Sequence, residues 1–233
     1  MARGKKITKK RLKEPDEFIT FTERAFLFIR QHFKQITVGV VIVIIILLSM
    51  IFFQRWEKSK EEEANRAFGL AMEIYQRANS PYREGSPSDY KNALEKFDEV
   101  IRKFPRTSSG KLSLLYKGNI YLKMNEFGET EKTFSTFLEK AGKEKVYRLF
   151  ALEGLGYAYE GKKDYEKALN TYKKILDMGE SFQVADTYLS IGRCYEKLGK
   201  NNEALENYKS FLKVAPTSIK THAVLRKISI LEK

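Results

Sequence analysis

The chain holds one cysteine and two histidines in 233 residues. Cys194 by itself forms no internal disulfide and carries no redox-compartment signal. It falls one position before Tyr195 on an amphipathic helical stretch, where a thiol is expected as a small core filler and not as a nucleophile. No cysteine follows the apolar run near the N-terminus, so anchoring through an acylated N-terminal cysteine is not expected. His32 precedes that run and His222 lies far beyond it, which leaves no metal or triad constellation. No HExxH, GxSxG or paired-cysteine spacing occurs. One decoy is present: Gly156, Gly161 and Lys162 match the opening of a P-loop, but Lys163 stands where Ser or Thr must hold magnesium, and the segment reads helix to turn. These two glycines are read as a packing glycine and a helix terminator. The expected chemistry is therefore none: no enzyme, no catalytic residue, no cofactor and no metal site.

An excess of one charge sign is concentrated in one region. The net charge is +13, yet residues 1–34 contribute ten basic against four acidic side chains. The remainder is mildly basic for its size, which gives little support for nucleic-acid binding.

What is present is a repeat. Gly118, Tyr121, Thr130 and Phe134 recur as Gly156, Tyr159, Ala168 and Tyr172, and again as Gly192, Tyr195, Ala204 and Tyr208. The period, 36 to 38 residues, belongs to helix–turn–helix solenoids. Apolar residues around these marks fall at helical spacing, with polar breaks at 161–164 and 199–202, where Gly161 is expected to close one helix and Asp164 to cap the next. The small residues let antiparallel helices approach while the aromatics fill the flanking space. An earlier half-repeat shows as Ala93, Phe97, Val100 and Pro105, with its first helix in 61–78 and an insert at 80–87.

These residues resemble the tetratricopeptide repeat, with Leu155, Gly156, Tyr159, Ala168 and Tyr172 the best match and Pro216 closing the last unit. Thr130 departs from the alanine of that pattern. The resemblance covers roughly 61–233 and implies an all-α solenoid of helix pairs, with repeats at about 61–105, 112–142, 149–180 and 185–216 and a capping helix at 218–232. It implies further that the first helix of each pair lines a protein-binding groove. By position that groove is Leu115, Asn119 and Leu122, then Glu153, Tyr157 and Glu160, then Leu189, Arg193 and Glu196. Leucine and tyrosine would serve as apolar anchors, and Asn119 and Arg193 would meet peptide polar groups. Ordinary solvated helix surface is the competing reading of each, Glu153 and Glu160 included. Relatives that clamp acidic C-terminal tails use a lysine where Leu115 stands, which argues against that mode.

Residues 36–53 carry no charge and are long enough to cross a bilayer once. Lys34 flanks one side, Arg55 and Trp56 the other. A cleaved signal peptide is the rival, disfavoured because the run exceeds an h-region and no small-x-small site follows. The domain reading is a basic disordered tail at 1–16, an amphipathic juxtamembrane helix at 17–35, a transmembrane helix at 36–54 and the solenoid at 55–233. Phe18, Phe21, Ala25, Phe28, Ile29 and Phe33 recur at helical spacing, as in a helix lying on a membrane surface or docking a membrane partner. Residues 3–13 read as a basic segment drawn to anionic lipid head groups. The positive-inside rule puts this tail in the cytoplasm and the repeats across the membrane, in the periplasm of a bacterium.

This layout is similar to the ancillary SecYEG translocon subunit family (YfgM-type), which implies a non-enzymatic inner-membrane adaptor or holdase meeting the translocon, nascent chains or a periplasmic chaperone. A periplasmic scaffold for envelope assembly or cell division is the alternative. A ribosome or nucleic-acid tether acting through 3–13 is a third reading.

Overall fold

The computed structural model describes residues 17–80, 86–140, 144–179 and 183–232. Among them the chain is all-α, with ten helices and no strand. It divides into two compact units, Met1–Lys58 and Ser59–Lys233. The basic run at 3–13 and most of the insert at 80–87 lie outside the described residues.

In the first unit, α1 (Glu17–Gln31) leaves Phe21, Phe26, Leu27 and Phe28 exposed. A turn at His32 separates it from α2 (Phe33–Ala78), although the His32 amide still donates to the Phe28 carbonyl at 2.9 Å. The helix expected at 17–35 thus ends four residues early, and 33–35 open α2. An 18-residue window of α2 has a mean hydropathy of 3.2 with none of it buried. At 1.5 Å per residue it extends ~27 Å, close to the ~30 Å hydrocarbon core of a bilayer. By length and composition this is one candidate membrane span.

The second unit begins with the last turns of α2, where Ala64, Ala71 and Ala78 are buried at seven-residue intervals. That spacing keeps one narrow seam facing its neighbours, and alanine lets them come close. There follow α3 (Pro87–Lys103), α4 (Ser108–Lys123), α5 (Phe127–Lys140), α6 (Lys145–Gly161), α7 (Tyr165–Asp177), α8 (Val184–Lys197), α9 (Asn201–Val214) and α10 (Thr221–Leu231). Helix starts follow local chemistry. Ser86 and Asp89 form a reciprocal capping box at α3, Thr107 caps α4, and Asp164 caps α7 through the Lys167 amide.

The core is serial, in small clusters strung along the helix pairs, as a solenoid requires. In three of the pairs the aromatic ring of the second helix packs directly against the glycine of the first. A Cβ at Gly118 would stand 2.6 Å from the Phe134 ring, one at Gly192 2.6 Å from Tyr208, and Gly156 meets Tyr172 in the same way. Phe134, Tyr172 and Tyr208 are all fully buried.

One assignment is refined. Gly161 is the last residue of α6, as expected, but it does not take the left-handed turn, and a Cβ there would run into the Phe127 ring. The left-handed position that ends the helix is Lys163, at φ 62°. Asn125 (φ 58°) and Gly199 (φ 71°) occupy the same place in the neighbouring repeats. In each, the next amide reaches five residues back, Glu126 to Tyr121, Asp164 to Tyr159 and Lys200 to Tyr195, all at 2.9 Å. This closure satisfies a carbonyl otherwise orphaned at the helix end. Three different residues serve, so the turn is set by the hydrogen bond more than by the residue type.

Candidate functional site

Successive first helices α4, α6 and α8 carry the nine groove residues read from the sequence, and α10 follows them as the capping helix. The structure sorts them into three kinds of surface. Between α4 and α6 the face is filled: Leu115 is 5% exposed and packs in a cluster with Leu114, Phe134, Ala151 and Leu155. Leu115 is therefore a core residue and not a groove wall, because the alanine at 151 lets α6 close over it. Asn119 and Leu122 remain half-buried beside it.

Between α6 and α8 the face is bridged by polar groups. Arg193 donates from Nε and Nη2 to the two oxygens of Glu160, at 2.6 and 2.7 Å. The Tyr172 hydroxyl donates to the same carboxylate at 2.7 Å. Glu160 keeps only 14% of its side chain exposed, so the reading of it as a solvated charge is corrected. Arg193 also sits over the Tyr157 ring and reaches the Ser190 hydroxyl at 3.2 Å. Hydrogen bonding to Glu160 holds the guanidinium's protonation above its ordinary range, against its own burial. Burial first, then the Glu160 charge, drives the Tyr172 hydroxyl far up. Arg193 is thus engaged by its own protein, where the sequence pointed to peptide polar groups.

The same arrangement recurs one repeat later. The Tyr208 hydroxyl and the Lys227 ammonium both donate to Glu196 at 2.6 Å. Burial pushes the Glu196 carboxyl up, but hydrogen bonds from Lys227 and Tyr208 outweigh it and hold it below the usual range. Each staple joins a glutamate four residues after the packing glycine, a tyrosine twelve further on, and a cation from the next first helix. In the Gly118 repeat those places hold Leu122 and Phe134. Glutamate thus occurs with tyrosine and leucine with phenylalanine, a pattern present in the sequence but invisible without knowing which side chains meet.

Between α8 and α10 the face is open. A cavity of about 190 Å³ is lined by Leu189, Ala223 and Val224 with Arg193, Lys220 and Lys227. Lys220 pairs with Asp186 at 2.7 Å. Cys194 is fully buried near the α6 to α8 contact, and burial pushes its thiol up to about 12, as befits a core filler. No group of three metal-ligating side chains lies together among the described residues.

The sequence profile of the tetratricopeptide repeat-like domain matches residues 27–233. The chain belongs to that family. As a tetratricopeptide repeat-like protein it is 29% identical over 114 residues to the uncharacterized protein ycf37 of Cyanophora paradoxa, an overlap of 49% of this chain. The match spans 63% of that relative, less than two thirds of its length. Among solved structures, a MamA protein superposes with a TM-score of 0.55 at 17% identity, covering 72% of this chain and 81% of MamA. PilW, a type IV pilus biogenesis factor, gives 0.57 at 20% identity, covering 70% and 67%. At such identities these structures share the fold. No enzyme family is indicated, and domains of this family bind protein partners through stacked helix surfaces.

One repeat residue has a testable titration. Glu153 accepts from the Gln183 amide at 2.6 Å, and among the described residues no cation pairs with it directly. Burial, reinforced by Asp186, raises its carboxyl above the ordinary 4.5. The folded state therefore keeps a proton that the unfolded state has lost, and stability falls as pH rises through the window just above 4.5. Glu153→Gln removes that decline. Melting curves from about pH 4 to 7 should show the variant's advantage growing with pH; parallel curves would contradict the raised carboxyl.

Proposed function

We propose that this protein is a non-enzymatic, membrane-anchored tetratricopeptide repeat adaptor or holdase at the Sec translocon of a bacterial inner membrane. Residues 36–53 of α2 are the anchor, residues 1–16 the cytoplasmic tail, and the repeat unit lies in the periplasm. The observation that carries this reading is an uncharged, strongly hydrophobic and wholly exposed stretch of α2 in a chain whose other unit is an interaction solenoid. Supporting it, the basic residues crowd on the N-terminal side of that stretch, as the positive-inside rule requires of a cytoplasmic tail. The exposed Phe21, Phe26 and Phe28 of α1 suit the acyl boundary of the inner leaflet. The repeat face would then meet emerging chains or a periplasmic chaperone.

A phosphatase reporter active only in the periplasm, fused after Lys233, tests the topology. It should be active, and protease added to spheroplasts should cleave the repeats; an inactive, protected fusion sinks the periplasmic reading. Crosslinking in intact membranes then separates the roles. Short-lived nascent chains and translocon subunits are expected for the adaptor, and one stable envelope complex for the scaffold of assembly or division.

A further inference from the structure

Within the second unit α2 carries two apolar rows, and only one is covered among the described residues. Ala64 and Ala71, with Phe68 and Tyr75 beside them, pack on α3 and α4. The other row, Ala67, Leu70 and Ile74, recurs at helical spacing about a quarter-turn round the helix. Leu70 stands there 62% exposed. Beside it α2 and α3 border a groove of about 510 Å³, in which Ala67, Ile74 and Val100 form apolar walls. Glu73, Arg77, Lys96 and Glu99 complete its lining, two acids and two bases. Apolar rows on two sides of a helix call for a neighbour on each. α2 and α3 also open the stack, and a solenoid end that stays in water takes a polar outer face.

We propose that this face pairs two copies of the chain about a two-fold axis, with Leu70 of each copy set in the groove of the other. A two-fold interface uses one patch twice, so that patch must hold both a projection and a recess. Leu70 and the groove beside it supply the two. The charges allow a like partner and select against a charged one. Arg77 already pairs with Glu73, and Lys96 with Glu99, so the rim carries no net charge. Two copies therefore meet without repulsion, while an acidic or basic partner, or an anionic lipid head group, finds both signs there. The contact then rests on apolar burial. This inference rests on the membrane anchor proposed above. Every copy carries Leu70 the same number of residues past the same span, so copies in one bilayer present the face at matching heights and raised local concentration.

The test uses the full chain in density-matched detergent micelles, weighed by sedimentation equilibrium. The wild type should reach the mass of two copies and fall to one on dilution. Leu70→Arg should weaken the pairing by about tenfold or more, with an unchanged melting curve because the side chain is exposed. Arg77→Glu leaves three acids and one base on each rim. It should weaken pairing by about threefold, and roughly 300 mM salt should restore it by screening the repulsion. In intact membranes, a short membrane-permeant bis-maleimide should link two copies through Leu70→Cys. It should not do so through Gln76→Cys, which is exposed on another side of α2. The fully buried Cys194 stays silent in both. A single-copy mass at every concentration overturns the proposal. So does a dimer that survives Leu70→Arg, since it would be held through the span or another face, and so does Leu70→Cys linked only to a different protein. Pairing with an inactive periplasmic reporter keeps the face and defeats the periplasmic reading. An active reporter on unpaired copies defeats the pairing alone.

Discussion

Replacing Phe134 by alanine should lower the unfolding free energy of the repeat unit by about 3–5 kcal/mol, the usual loss for a buried phenylalanine. The ring is fully buried and serves two repeats at once. One edge lies on Gly118 of its own pair, and the opposite edge lies on Gly154 of the next. Glycine at both contacts means that no neighbouring Cβ can move in to fill the void, so the cavity term applies nearly in full. For a domain holding roughly 5–15 kcal/mol, this is a large fraction. Because each repeat contacts only its neighbours, the damage should be local. Hydrogen exchange on the full chain should accelerate in α4, α5 and α6 well before α9 and α10. Uniform acceleration, or a denaturation midpoint close to the wild type, would show that Phe134 is not the link between these repeats.

Arg193→Met should destabilise the protein by roughly 3 kcal/mol, the low end of what breaking a buried ion pair takes. The low end applies because Arg193 keeps 32% of its side chain exposed. The loss comes mainly from stranding Glu160, which among the described residues retains only the Tyr172 hydroxyl as a partner in a poorly solvated place. A double variant, Glu160→Gln with Arg193→Met, should recover much of it, since glutamine still accepts from Tyr172 and carries no charge. Denaturant titration of the wild type, both single variants and the double variant yields the coupling directly. Additive losses would mean that the pair holds nothing together, and the staple would then be a surface accident of the kind worth little in water.

The two predictions differ in how far the residues alone could have led to them. Phe134, Tyr172 and Tyr208 announce themselves by recurring sixteen residues after Gly118, Gly156 and Gly192. A solenoid repeats its local packing, so a one-dimensional period carries the contact between the two helices of a pair. The all-α fold, the helix pairs and the apolar stretch of α2 were legible for the same reason: each depends on residues close together in the chain. The closing turn was half legible. The sequence offers a glycine at 161, and the helix ends there, but the backbone turns at Lys163, because the amide of Asp164 closes on Tyr159 and Gly161 packs against the tip of the Phe127 ring.

The groove was legible as a set of positions and not as a surface. All nine residues sit on successive first helices, as their spacing required. What each does depends on the distance between one first helix and the next, which no period encodes. Ala151 lets α6 close over Leu115; Glu160 and Arg193 bridge α6 to α8 from 33 residues apart; Leu189 and Arg193 are left lining a cleft with α10. Local chain chemistry determined that this protein is a stack of helix pairs with an apolar run before it. Only the tertiary structure decided which part of the stack is open, because burial of a charge or exposure of an apolar wall is settled by the neighbour that arrives across the repeat, and not by the residues beside it in sequence.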